Sequence, residues 1–333
     1  MRAAVFQGLH KPLVIEELPD PTPGAGEVVV KVGRCGICGS DLHMSEDPAF
    51  GKQRGDVFGH EFAGEVVALG KGVEGLVKGD LVSVVPLRSC GHCPSCLAGE
   101  PAWCAEMGLQ GGGYSDYAVT TARQCVRLPA SASLADGAII EPLAVALHGV
   151  VLSGLKPGNK VAVLGAGPIG LAVAFWARRM GATEVIVTDL NRSHEQRALE
   201  MGATGFVAGA EGVVEAVDRK LGGKADIVFE CVGLPGLIAQ AVEHVKVKGT
   251  VAVLGLCTRP DSWVPFVGLS KEVRIQTSAF FTVPEYQAAL DALNAGAAEP
   301  RHLITDTIPL DAVPETFEAL KKRTHQCKVL IAP

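Results

Sequence analysis

Between residues 161 and 189 the chain writes out a complete strand, turn, helix and strand, and this stretch limits the fold more than any other. Val161-Ala-Val-Leu164 is a short apolar strand, Gly165-Ala-Gly167-Pro168-Ile169-Gly170 follows at once, and residues 171–180 form a helical run. A second strand at residues 184–188 ends on Asp189, nineteen residues beyond the last of those glycines. Glycines here let the backbone turn and approach a pyrophosphate, and the helix N-terminus favours negative charge. Strand, glycines, helix and terminal acid together predict a βαβ unit in a doubly wound parallel sheet that binds a dinucleotide.

Asp189 is placed to hydrogen-bond ribose hydroxyls and to repel a 2′-phosphate, which favours NAD over NADP. Arg192 and His194, close behind it, argue the other way, because a cation there can accept that phosphate. Further strands at 225–230 and 249–254 continue the sheet. Ligands lie beyond the carboxyl ends of such strands, so Val232, Leu254, Gly255, Leu256 and the segment Ser278-Ala279-Phe280 are expected to face the nicotinamide. A helical run at 284–295 is expected to close this domain, which spans residues 146–297.

The first 130 residues read differently. Short runs rich in β-branched residues, bounded by Pro and Gly clusters, predict an antiparallel, partly open barrel with long loops. The loop GRCGICGSDLHMSEDPAFGKQRGDVFGHE, residues 33–61, offers a thiol at Cys38, an imidazole at His60 and a carboxylate at Glu61. Three such donors with a fourth position open suit catalytic zinc. Ser40 and His43 stand beside Cys38 and can carry a proton. Cys35 and Cys38 also form a C-x-x-C pair, which in other settings is a redox dithiol, and His60 alone reads as a structural histidine.

Cys90, Cys93, Cys96 and Cys104 follow on one loop, four thiols able to close around a structural zinc. His92 falls among them and reads as a solvated loop residue. Tyr114 either faces substrate or is a partly buried strand aromatic. Glu141 is a lone carboxylate in an apolar stretch, so it needs a partner or a metal; ahead of Pro142 it can equally open a helix.

These motifs, in this order, resemble the zinc-dependent medium-chain alcohol and polyol dehydrogenase family, and most closely its sorbitol and butanediol dehydrogenase branch. The resemblance rests on Cys38-Gly-Ser40-Asp-Leu-His43, Gly59-His60-Glu61, the four-cysteine loop, Glu141-Pro-Leu-Ala and the glycine turn. It implies an α/β protein: a GroES-like barrel catalytic domain at 1–145, completed by 298–333, and a Rossmann coenzyme domain at 146–297. It also implies two zinc ions per chain, one catalytic and one structural. Cys38 and His60 are joined at the catalytic ion by a glutamate, which the sequence leaves open between Glu61 and Glu141. The implied reaction is NAD-dependent oxidation of a secondary alcohol, diol or polyol held between the domains of a homodimer or homotetramer.

The gross features agree with this reading. A net charge of −6 and a pI near 5.9 argue against a nucleic-acid partner. The longest uncharged run, residues 161–177, is shorter than the roughly 20 residues of a membrane helix. The opening MRAAVFQGLHKP has no apolar signal core, which points to a cytoplasmic protein with reduced thiols. A metal-independent double-bond reductase of the same superfamily and a noncatalytic NAD-binding scaffold are the rival readings; neither has a use for Cys38, His60 and Glu61.

Overall fold

The computed structural model describes residues 1–322 and 325–333. The chain forms two compact units, Met1–Glu141 with Thr282–Ala297 and Ile304–Pro333, and Pro142–Phe281 with Ala298–Leu303.

The first unit is built on the long strand Glu27–Gly36. It pairs antiparallel with Glu61–Leu69 on one side. On the other side it divides its length between Tyr117–Thr121, opposite residues 27–31, and Lys328–Ala332, opposite Cys35 and Gly36. Leu81–Val84, Cys125–Arg127 and Ile304–Pro309 extend the sheet to seven strands. Register shifts within the Glu27–Gly36 pairing increase the local twist, consistent with the partly open barrel expected. Its interior holds Phe6, Val28, Val30, Phe62, Val82, Phe317 and Val329.

The second unit carries a six-stranded parallel sheet in the order Gly205–Ala208, Glu184–Asp189, Lys160–Leu164, Ala225–Glu230, Val245–Val253, Arg274–Thr277. The order reverses between Lys160–Leu164 and Ala225–Glu230, which is where such sheets open a crevice for ligands. Val161, Ala162 and Val163 are fully buried, as a central parallel strand covered on both faces requires.

Two expectations need correction. The helix Val283–Asn294 groups with the first unit, not with the coenzyme unit. Tyr286 anchors it there by donating to the Val84 carbonyl at 3.1 Å and lying 2.5 Å from Ser83 Oγ. Residues 298–303 return to the second unit, where His302 meets Glu200 at 3.2 Å. Glu141, for its part, does not open a helix. The helix Leu134–Leu152 begins seven residues earlier, with Ser133 Oγ accepting from Asp136 N at 3.1 Å while Ser133 N donates to the Asp136 carboxylate at 2.8 Å. Pro142 sits inside the helix, where it removes one backbone bond. This helix is long and apolar enough to cross a membrane by length and composition alone, yet most of it is buried in the protein.

His244, at the end of the helix Leu237–His244, is wholly buried, and among the described residues neither ring nitrogen has a hydrogen-bond partner. Burial pushes its pKa down to about 4; Asp218 and Glu215 oppose this, while Lys224 and Lys271 add to it. The folded ring therefore stays neutral where the unfolded ring, near its ordinary value, has already taken a proton. Stability from this group is intact above about pH 6.5 and is lost as pH falls toward 4, by about 2 to 3 kcal/mol. His244→Leu is expected to flatten that part of the pH profile in urea unfolding followed on the second unit. Parallel profiles for the two proteins would refute the assignment.

Candidate active site

Cys38 precedes the short helix Gly39–Met44 with extended backbone (φ −99°, ψ 148°). Cys38 N donates to Asp41 Oδ2 at 3.2 Å, which fixes the turn that presents the thiol. Ser40 Oγ lies 3.2 Å from Cys38 Sγ, while His43, one helical turn on from Ser40, is exposed. His60 and Glu61 arrive at the start of the strand Glu61–Leu69, and donor atoms of Cys38, His60 and Glu61 all lie within 4.8 Å of one another. Glu141 stands outside that group.

The imidazole is oriented from behind. His60 Nδ1 lies 3.2 Å from Asp41 Oδ1, and Tyr114 donates its hydroxyl to Asp41 Oδ2 at 2.7 Å. Burial works against a charged ring, but the Asp41 and Cys38 charges outweigh it and hold His60 well above its ordinary pKa. Burial also opposes ionisation of Asp41; the His60 charge and hydrogen bond and the Tyr114 hydroxyl hold it below the usual carboxylate range all the same. With Nδ1 engaged by Asp41, Nε2 is left to face the thiol side, the arrangement by which a carboxylate fixes a ligating histidine. Tyr114 is fully buried, so it braces Asp41 and does not face substrate.

Glu61 is paired with Lys328 of the last strand. Both side chains are almost wholly buried, and Nζ lies 2.7 Å from each carboxylate oxygen, well aligned only with Oε1. Lys328 also donates to the Ile37 carbonyl at 3.1 Å. Burial would lower the Lys328 pKa, but Glu61, Cys38 and Glu141 raise it. Oε2 is buried and takes no well-aligned hydrogen bond, its one polar neighbour among the described contacts being the Lys328 ammonium. Gly36, opposite Glu61 in the sheet, makes the pair possible: a Cβ there would lie 2.0 Å from Glu61 Oε2 and 3.1 Å from Lys328 Cδ. Burial pushes the Glu141 carboxyl up to about 7; His60 and Lys328 pull it down, and Glu61 pushes it further up. Soft thiol, imidazole and carboxylate gathered within 4.8 Å fit a zinc ion.

The second cluster is closed. The donor atoms of Cys90, Cys93, Cys96 and Cys104 gather within 4.8 Å, with Cys96 Sγ 3.5 Å from Cys93 Sγ and 3.9 Å from Cys90 Sγ. Four sulfurs at a Zn–S distance of about 2.3 Å stand roughly 3.8 Å apart at tetrahedral corners, so these separations fit zinc. Backbone N–H groups of Gly91 and Cys93 point at Cys96 and Cys90 sulfurs at 3.3 and 3.4 Å, as they would at thiolates. His92 is exposed, its Nδ1 3.1 Å from the Cys90 carbonyl. Among the described residues no disulfide joins any of the cysteines.

In the second unit Gly165 adopts φ +100°, and a Cβ on Gly170 would lie 2.0 Å from its carbonyl, so helix and strand close only with glycine. Gly167 precedes the helix Pro168–Arg179 with open space where a Cβ would be, leaving room for a phosphate at the helix N-terminus. Asp189 is held by Ala166 N and Asn191 N, each at 3.0 Å. Arg192 is exposed and paired with Glu195 at 3.0 Å.

Comparison with known proteins decides the family. The family model for the alcohol dehydrogenase GroES-like domain matches residues 24–130, and that for zinc-binding dehydrogenase matches residues 168–295. The chain is 33% identical to (R,R)-butanediol dehydrogenase of Bacillus subtilis, with 100% of both chains covered. The chain belongs to the zinc-dependent medium-chain alcohol and polyol dehydrogenase family. Sorbitol dehydrogenase of Bombyx mori is also 33% identical, over 99% of this chain and 97% of its own. A zinc-binding dehydrogenase from Sinorhizobium meliloti, solved with NADP, superposes with a TM-score of 0.91 at 34% identity, covering 100% of this chain and 99% of that one.

For this medium-chain dehydrogenase the structure gathers Cys38, Ser40, His60 and Glu61, and it places Glu141 near enough to feel their charges. It brings no hydrogen-bond partner of the cluster to His43 among the described contacts. Sequence reasoning passed over Asp41 and Lys328. Asp41 lies inside the motif that was read, and its acid three residues after Cys38 is a legible capping signal. Nothing local marks Lys328.

Proposed function

We propose that this chain is a zinc-dependent, NAD-linked dehydrogenase of a secondary alcohol, diol or polyol. The observation that carries this is the open donor set Cys38, His60 and Glu61, whose donor atoms all lie within 4.8 Å of one another. Relatives named for butanediol and for sorbitol support a substrate with neighbouring hydroxyls. We assign Cys38, His60 and Glu61 as ligands of the catalytic ion, with Glu141 beside them, and the four cysteines of residues 90–104 as ligands of the structural one.

Zinc in such a site supplies Lewis acidity that brings an alcohol's pKa toward neutrality, and the nicotinamide supplies the hydride acceptor. The chain's own groups do the rest. Asp41 fixes the His60 tautomer, Tyr114 and Cys38 N hold Asp41, and Lys328 holds Glu61 in place. Ser40, in contact with Cys38, takes the hydroxyl proton and passes it toward exposed His43. Asp189, its carboxylate held by two backbone N–H groups, stands beside the glycine turn where it would meet a ribose 2′ position, which favours NAD over NADP.

Asp41→Asn is expected to loosen the catalytic ion about 10- to 100-fold while the four-cysteine ion stays. Zinc content after timed dialysis against a chelator measures it; equal loss from both sites would refute the assignment. A homodimer or homotetramer is supported by the edge strand Arg274–Thr277 and by Val264, Phe266 and Leu269, which are 65%, 69% and 73% exposed. Sedimentation velocity giving a monomer mass at micromolar concentration would overturn that reading.

The test of function is NADH formation by zinc-loaded protein over a panel of vicinal diols, polyols and secondary alcohols, with NADP in parallel and metal content measured. Turnover with NAD at two zinc ions per chain is expected. Full activity in metal-free protein, or no turnover with any alcohol and none with the ketones in reverse, would sink the proposal.

A further inference from the structure

The dinucleotide reading leaves one buried acid unused. Glu230 ends the strand Ala225–Glu230 and is 2% exposed. Its Oε1 accepts hydrogen bonds from Val232 N at 2.8 Å and Gly233 N at 2.9 Å. Its backbone carbonyl accepts from Leu254 N at 2.8 Å and Gly255 N at 3.0 Å. One residue thus fastens the turns that follow two adjacent strands.

Those turns interlock through bare backbone. A Cβ on Gly255 would lie 2.2 Å from Gly233 N and 2.4 Å from Glu230 Oε2. One on Gly233, itself at φ +76°, would lie 2.5 Å from the Leu256 carbonyl oxygen. The fastening reaches a third turn, because Val232 Cγ2 sits 2.7 Å from the place a Cβ on Gly165 would occupy.

The sheet order says which part of a ligand these turns meet. Asp189 ends the strand on one side of Lys160–Leu164, and Ala225–Glu230 lies on the other. A dinucleotide crossing the switch point with its pyrophosphate on the glycine turn has its adenosine over Asp189. Its second nucleoside then falls over residues 232–233 and 254–256.

We propose that Glu230 is a positioning residue for the nicotinamide half of the dinucleotide, holding the turns after Ala225–Glu230 and Val245–Val253 in their binding shape before the ligand arrives. This rests on the reading that the chain binds NAD(H). A buried carboxylate accepting two backbone N–H groups makes charge-assisted bonds, and a turn ordered in advance spares the ligand the cost of ordering it.

The test is titration of the full chain with NADH and, separately, with AMP, which has no nicotinamide nucleoside. Glu230→Ala is expected to weaken NADH about tenfold or more and to leave AMP within about twofold. Glu230→Gln retains an Oε1 that can accept both N–H groups and is expected to restore NADH affinity to within about threefold of the parent. Gly255→Ala, which forces a methyl into the joint, is expected to reproduce the selective loss and carries the test where Glu230→Ala does not fold. Unchanged NADH affinity in Glu230→Ala and Gly255→Ala, equal loss of AMP and NADH, or failure of Gln to rescue would overturn the proposal. A parent protein that binds neither ligand would instead refute the dinucleotide reading itself.

Discussion

Cys38→Ala is expected to abolish alcohol oxidation, with kcat falling about 10³-fold or more, while NADH affinity stays within about twofold. The magnitude follows from the several kcal/mol of charge stabilisation that a Lewis acid supplies, at about 1.4 kcal/mol per factor of ten. Its selectivity follows from the chain's division. The thiol belongs to the first unit, whereas the glycine turn, Asp189 and the turns after residues 230 and 253 belong to the second. Cys35→Ala is the control. Its sulfur is buried against Gly59 and Gly113 and lies outside the donor group, so packing suffers and turnover survives. A redox dithiol would lose function with either cysteine, and equal loss in the two variants would restore that reading. Steady-state kinetics, zinc content and NADH titration on the same preparations decide it.

Lys328→Met is expected to produce the largest loss of stability. Removing one partner of a buried ion pair leaves the other charged and uncompensated, at a cost of about 3 to 5 kcal/mol, or roughly 6 to 20 °C in the melting temperature of a unit this size. The penalty falls hardest on metal-depleted protein, because zinc and Lys328 both neutralise Glu61. By linkage, added zinc must therefore raise the melting temperature of the variant more than that of the parent. Glu61→Gln combined with Lys328→Met removes both charges and is expected to recover most of the stability without recovering turnover. Differential scanning calorimetry of the parent, the single and the double variant, each with and without chelator, measures the differences. A single variant within about 1 kcal/mol of the parent would mean that Glu61 does not depend on Lys328.

What the sequence revealed, and what it hid, divides along physical lines. The glycine turn, its helix, Asp189 and the four-cysteine loop were legible because each is a local device whose parts lie within about thirty residues. Asp41 was legible in principle and was missed, since an acid after a cysteine reads first as a helix cap. Lys328 was not legible. Its partner lies 267 residues away in sequence, and a lysine opening a C-terminal strand looks like an ordinary surface residue until the strand is seen against Glu27–Gly36. The helix Val283–Asn294 was assigned to the wrong unit for a related reason. Its amphipathic pattern would suit either core, and only Tyr286 reaching Val84 decides. The alternative that Glu141 opens a helix arose because Pro142 is as compatible with a first turn as with an interior position.

The pairing of the final strand has a consequence for synthesis. Leu330 and Ile331 zip against Gly36 and Cys35, and Lys328 brings the ammonium that Glu61 requires. While the chain is still on the ribosome, the loop of residues 33–61 has long been made but has neither its neighbouring strand nor its buried counter-charge. The donor cluster of residues 38–61 is completed by a strand made 267 residues after Glu61.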